Sequence, residues 1–147
     1  MNNNTLGLLV GGLVPALLYG FSALAMKGGA SFKVSTPNYM MIIGVVIFLT
    51  GLAIKPWLDT DSKLNGGAVA IAAASGLFWA LGTTLVNFAL VKYGSPLAQL
   101  TPLYNMNTLV AVVGGLIIFA EWKTVNSVPV AIGTLLVVAG GVLLSRA

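Results

Sequence analysis

Uncharged hydrogen-bonding side chains recur at helical spacing inside otherwise apolar runs of this chain. Trp79, Thr83 and Asn87 follow one another every four residues, which at 100° per residue makes one narrow stripe. Thr101, Tyr104, Asn105 and Thr108 share about 100° of arc, and Tyr19 and Ser22 share about 60° with Pro15 and Met26. Gln99 and Asn107 point elsewhere. The chemistry on offer is neutral: hydroxyl and carboxamide hydrogen bonds plus aromatic faces. It suits an uncharged polar solute, or the polar part of an amphiphile. The competing use of the same groups is hydrogen bonding between helices, worth about 0.6–2 kcal/mol a pair in a membrane.

Other chemistries lack their residues. There is no Cys and no His, and Asp and Glu together number three. Thiolate nucleophiles, disulfides and the usual zinc and acid-base constellations are therefore excluded. Neither an enzyme nor a cofactor-dependent protein is expected. No carboxylate falls in the interior of an apolar run: Asp59 and Asp61 lie in a connector, and Glu121 ends a run beside Lys123. A proton-coupled exporter generally needs such a buried acid. The net charge of +4 does not predict nucleic-acid binding, because the seven Lys and Arg are dispersed between apolar runs rather than gathered on one face.

The elements that carry these stripes must sit in lipid. Of 147 residues, 58% are hydrophobic and 7% charged, with a mean hydropathy of +0.99. A soluble domain is roughly one-quarter charged, so this composition cannot cover a water-facing surface. A crossing helix needs about 20 apolar residues, and five windows qualify: 6–26, 38–54, 67–91, 96–120 and 125–144. Their ends carry Lys, Arg or Glu, an aromatic residue, or both, with Trp57, Tyr93 and Trp122 where an aromatic belt belongs. The expected fold is all-α, one polytopic membrane domain over 1–147. Short connectors make neighbouring spans antiparallel. Ala23-Leu24-Ala25 imitates a signal-peptide cleavage site, which would leave four spans. The stretch before it holds no Lys or Arg, and the apolar run exceeds a usual signal core, so retention of the first span is expected.

The second and fifth spans hold only Thr50 and Thr134 as polar interior groups besides glycine, so they are expected to face lipid or to pack by shape. The first carries a ladder of small residues, Gly12, Ala16 and Gly20, that permits close approach of another helix. Five spans put the termini on opposite sides. Lys55, Lys63 and Lys123 then lie on one side, and Lys27, Lys33, Lys92 and Arg146 on the other. Orientation follows an excess of Lys and Arg, and here the excess is a single residue. Two outcomes stand open: one weakly specified orientation, or insertion both ways. Dual topology would let one five-span unit build, as an antiparallel homodimer, the inverted repeats that many transporters use around a midplane site.

The order of spans, together with several short motifs, resembles the EamA-like branch of the drug/metabolite transporter superfamily. The motifs are Ser95-Pro96-Leu97-Ala98 leading into a long apolar helix, Ala120-Glu121-Trp122, Gly133, and the closing Ala139-Gly140-Gly141-Val142-Leu143-Leu144. The family pattern has Gly before the Glu, and Ala120 departs from it. The resemblance spans the chain as one five-helix repeat. It implies secondary transport of small metabolites by inverted five-helix halves, with the small single-repeat members working as dimers. Tyr104-Asn105-Met106-Asn107-Thr108-Leu109 also looks like sugar-uptake members. Small multidrug exporters rely on a first-span glutamate, which this first span lacks.

The expected function is secondary transport of a small neutral or polar metabolite by a homodimer, by alternating access, in the cell inner (plasma) membrane. Its partners would be solute, lipid and a second copy of the chain. The substrate-binding residues would be Tyr19, Ser22, Trp79, Thr83, Asn87, Thr101, Tyr104, Asn105 and Thr108, converging near mid-depth. Beside it stand a non-transporting membrane subunit that scaffolds a larger complex and, within the same superfamily, a sugar-uptake permease or a flippase for a lipid-linked headgroup.

Overall fold

A computed structural model of the chain describes residues 3–58 and 64–146. Asp59, Asp61 and Lys63 of the polar connector lie outside the described residues. All regular structure among the described residues is helical: α1 (Asn3–Leu8), a π turn (Leu9–Leu13), α2 (Val14–Ser31), α3 (Thr36–Leu58), α4 (Gly66–Lys92), α5 (Leu97–Tyr104), α6 (Asn107–Ile118), a 3-10 turn (Glu121–Lys123) and α7 (Ser127–Leu144). Five segments are long and apolar enough to cross a membrane: Thr5–Ser31, Thr36–Leu58, Gly66–Lys92, Leu97–Ile118 and Ser127–Leu144. They correspond one to one with the five expected windows. The helices group into two compact units, Met1–Gly94 and Ser95–Ala147.

All six prolines act on helix geometry. Pro37 stands in the first turn of α3, Pro96 is the N-cap of α5, and Pro129 stands in the first turn of α7, where a missing N–H costs nothing. Asn65 and Asn126 cap α4 and α7, their Oδ1 atoms accepting from Ala68 N at 2.8 Å and Val128 N at 3.2 Å. Such caps satisfy amides that the helix itself leaves open. Pro15 follows the π turn, in which Val14 N–H donates to Leu9 O, five residues back. A proline ring collides with the carbonyl four residues before it, here Gly11, and the wider turn makes room for it.

Two span ends differ from expectation by more than two residues. The first helix does not stop at Met26 but runs on through Lys27-Gly28-Gly29 to Ser31. It closes in a Schellman turn: Val34 N–H donates to Gly29 O (3.1 Å), Lys33 N–H to Ala30 O (3.0 Å), and Lys33 is left-handed at φ 60°. The second helix passes Lys55-Pro56 and ends at Leu58, because a proline near a helix end forfeits only the one bond to the carbonyl four residues earlier.

In the first unit, α4 packs against both α2 and α3. The buried residues there are Ala23 and Met26 of α2, Thr36, and Asn87 and Leu90 of α4. In the second unit α7 packs on α5 and α6, with Thr134 and Gly141 buried. The fit at Gly141 is close: a Cβ there would stand 2.9 Å from Pro102 O and 3.3 Å from Met106 Cγ. Most large apolar side chains, such as Phe48, Leu85 and Leu136, are exposed, as lipid-facing groups must be.

Candidate functional site

In the first unit the α4 stripe descends from an open groove to full burial. Trp79 is 48% exposed, Thr83 is half-buried and Asn87 is 0% exposed. The groove has a volume of about 250 Å³ and is lined by Met40, Ile43, Gly44 and Ile47 of α3 with Gly76, Trp79 and Ala80 of α4. Its α3 residues recur at three- and four-residue spacing, one face of a helix. Apart from the Trp79 indole the lining is apolar, so the groove suits hydrocarbon better than a polar solute.

Asn87 is different. It is fully buried, and neither its Nδ2 nor its Oδ1 has a hydrogen-bond partner. Nearby, the Thr84 hydroxyl donates to Ala80 O at 2.7 Å, the local bond that Thr commonly makes inside a helix. No signal in the sequence marks Thr84, and its hydroxyl is already committed.

The first-span residues do not share one environment. Tyr19 (71% exposed) and Ser22 are exposed, whereas Met26, on the same arc, is buried. Tyr19 and Ser22 therefore stand apart from the buried residues of this unit.

In the second unit the fourth span is broken, in place of the single helix expected over 96–120. α5 ends at Tyr104 and α6 begins at Asn107. Across the break the backbone shifts to three-residue bonds: Met106 N–H to Leu103 O (3.1 Å), Thr108 N–H to Asn105 O (3.1 Å) and Leu109 N–H to Met106 O (3.0 Å). The Thr108 hydroxyl adds a second bond to Asn105 O at 2.8 Å. Of the four candidate residues here, Thr101, Asn105 and Thr108 are tied at the break: Thr101 O receives the last four-residue bond, from Asn105 N–H at 3.1 Å, and Thr108 stands in the first turn of α6, while Tyr104 ends α5. Asn105 is exposed and the other three are half-buried. Two signals were available. Pro102 offers no N–H to Ala98 O, and asparagine at 105 and 107 is a poor helix former.

At the end of α6, Ala120 is left-handed (φ 54°, ψ 31°). Glu121 and Lys123 share the following 3-10 turn but turn apart. A Cβ at Gly115 would lie 2.7 Å from Glu121 Oε2, so the carboxylate folds back along α6, while Lys123 Nζ stands 5.3 Å from the centre of the Trp122 ring, a cation–π contact.

Compared with known protein families, curated proteins and solved structures, the chain matches none.

Proposed function

We propose that the chain is a permease for a small neutral polar solute, half of an inverted pair formed by two copies in the cell inner membrane. The observation that carries this reading is the Asn87 carboxamide, fully buried in a crossing helix with both ends unmet. An unsatisfied polar group in an apolar surrounding is costly, and inside a membrane such groups mark solute paths more often than they mark lipid-facing surface. The broken fourth span supports it too, because discontinuous helices expose the backbone and side-chain groups from which many transporters build their sites. The solute-facing groups are then, in the first unit, Thr83 and Asn87 of α4, with Trp79 flanking them on the apolar groove, and in the second unit, taken by itself, Thr101, Tyr104, Asn105 and Thr108 at the break. The resemblance to EamA-like single repeats points the same way. Tyr19 and Ser22, exposed as they are, serve this function only where a second copy covers them.

The test is reconstitution of the protein, purified alone, into liposomes and measurement of uptake of labelled polyols, monosaccharides and small amides. Saturable flux of one of them is the expected result. A well-folded protein that moves none, and is stable only with another membrane protein, would establish the scaffold instead. Mapping the sidedness of both termini in cells decides the assembly: a mixed population supports the inverted pair, and one fixed orientation refutes it.

A further inference from the structure

Among the described residues, the buried side-chain polar atoms without a hydrogen bond are Nδ2 and Oδ1 of Asn87. A carboxamide brings two donors and an acceptor, and a group left unmet on burial carries the whole desolvation penalty. α4 packs against both α2 and α3, and the buried residues of the unit are Ala23 and Met26 of α2, Thr36 of α3, and Asn87 and Leu90 of α4. Three of the five are apolar. The closed packing around Asn87 therefore carries a penalty that is absent from any state in which water reaches it. A state that relieves the penalty is populated more than it would be with an apolar residue there.

We propose that the α2–α4 seam is a gate, which Asn87 holds near balance between the closed form described here and an open form. In the open form Met26 and Leu90 meet water, and the Asn87 amide bonds to water or to the neutral donor–acceptor edge of a solute. The first span is built to move at one end: the π turn at Leu9–Leu13, followed by Pro15, is an irregularity of the kind that accommodates bending in long helices. The gate does not depend on the permease reading, since opening is measurable with no solute present.

The chain has no cysteine, so Met26→Cys places a single thiol at a position 8% exposed. Ser35→Cys, in the exposed connector, calibrates the reagent. The full chain in lipid nanodiscs is treated with N-ethylmaleimide, and the labelling rate is followed by mass spectrometry. When opening and closing are fast relative to labelling, the rate reports the open population. Adding Asn87→Leu should slow labelling of Met26→Cys by about tenfold, leave Ser35→Cys unchanged, and raise the thermal midpoint. Leu90→Cys should repeat the result from the α4 side. Equal or faster labelling with Asn87→Leu overturns the gate. A less stable or unfolded Asn87→Leu protein overturns it as well, because leucine would then have removed a partner that the amide possesses.

Discussion

Gly141 offers the most direct physical test of the second unit. Its Cα faces the carbonyl of Pro102, and a Cβ built on it would lie 2.9 Å from that oxygen and 3.3 Å from Met106 Cγ. Methionine can swing away, but a backbone carbonyl cannot without moving its helix, so α5 and α7 must separate by roughly half an ångström to restore ordinary contact. Overpacking of this kind costs about 1–3 kcal/mol. Replacing a mid-helix glycine with alanine also gains about 0.8–1.0 kcal/mol of helix propensity, which would mask part of the loss. Gly140→Ala supplies the correction: it is the neighbouring position on the same helix, and a Cβ there meets nothing within 4 Å. The propensity gain is common to both variants, so their difference isolates the clash. Thermal unfolding in one detergent should place Gly141→Ala below Gly140→Ala by about 2 kcal/mol, or roughly 4–8 °C for a chain of this size. Equal midpoints would refute the close approach of α5 and α7 at Pro102.

The left-handed Ala120 and Lys33 each carry the strain of a side chain in that conformation, roughly 1–2 kcal/mol; Ala120→Gly and Lys33→Gly should each raise stability by about 1 kcal/mol in the same unfolding assay, and no gain at either would refute the strain argument for that turn. Thr108→Val removes the hydroxyl from Asn105 O and should cost about 1 kcal/mol, with a shift of the Asn105 backbone amide signal in NMR marking the change at the break. On the permease reading, Trp79→Ala or Asn105→Leu should abolish flux in liposomes while insertion and dimerisation, followed by crosslinking, persist; normal flux in both defeats the assignment of those residues.

The helical class and the five spans were legible because each rests on a one-dimensional property, a run of apolar residues long enough for the bilayer. Boundaries came out closest where capping chemistry is local: 67–91 was expected and Gly66–Lys92 found, with Asn65 as the cap. They were missed where a supposed stop signal was weak. Lys27 is no obstacle at a membrane interface, since its long side chain can reach water, so the helix continues to Ser31. A helical wheel supplies angles and is silent on depth. Tyr19 and Met26 share an arc, yet one is exposed and the other buried, because burial depends on what stands opposite at that height, which no helical wheel contains. Ala120 is left-handed, a conformation that glycine would occupy without strain and that neither composition nor periodicity announces.

The distribution of irregularity follows the division that polar residues drew among the spans. In the second and fifth, the interior hydroxyls are satisfied within their own helices: Thr50 Oγ1 donates to Val46 O and Thr134 Oγ1 to Val130 O, both at 2.8 Å. Both hydroxyls are thus committed within their own helices, and α7 meets α5 by shape, at Gly141. The other three each depart from regularity: a π turn before Pro15, a buried amide without a partner at Asn87, and a ruptured helix between Tyr104 and Asn107. In hydrocarbon, backbone and side-chain polar groups must be met by something. At the π turn and at the break the backbone meets itself, through the bond from Val14 N–H to Leu9 O and the three-residue bonds around Asn105, whereas the Asn87 carboxamide has no partner. Asn87 is therefore where compensation from outside the helix is needed.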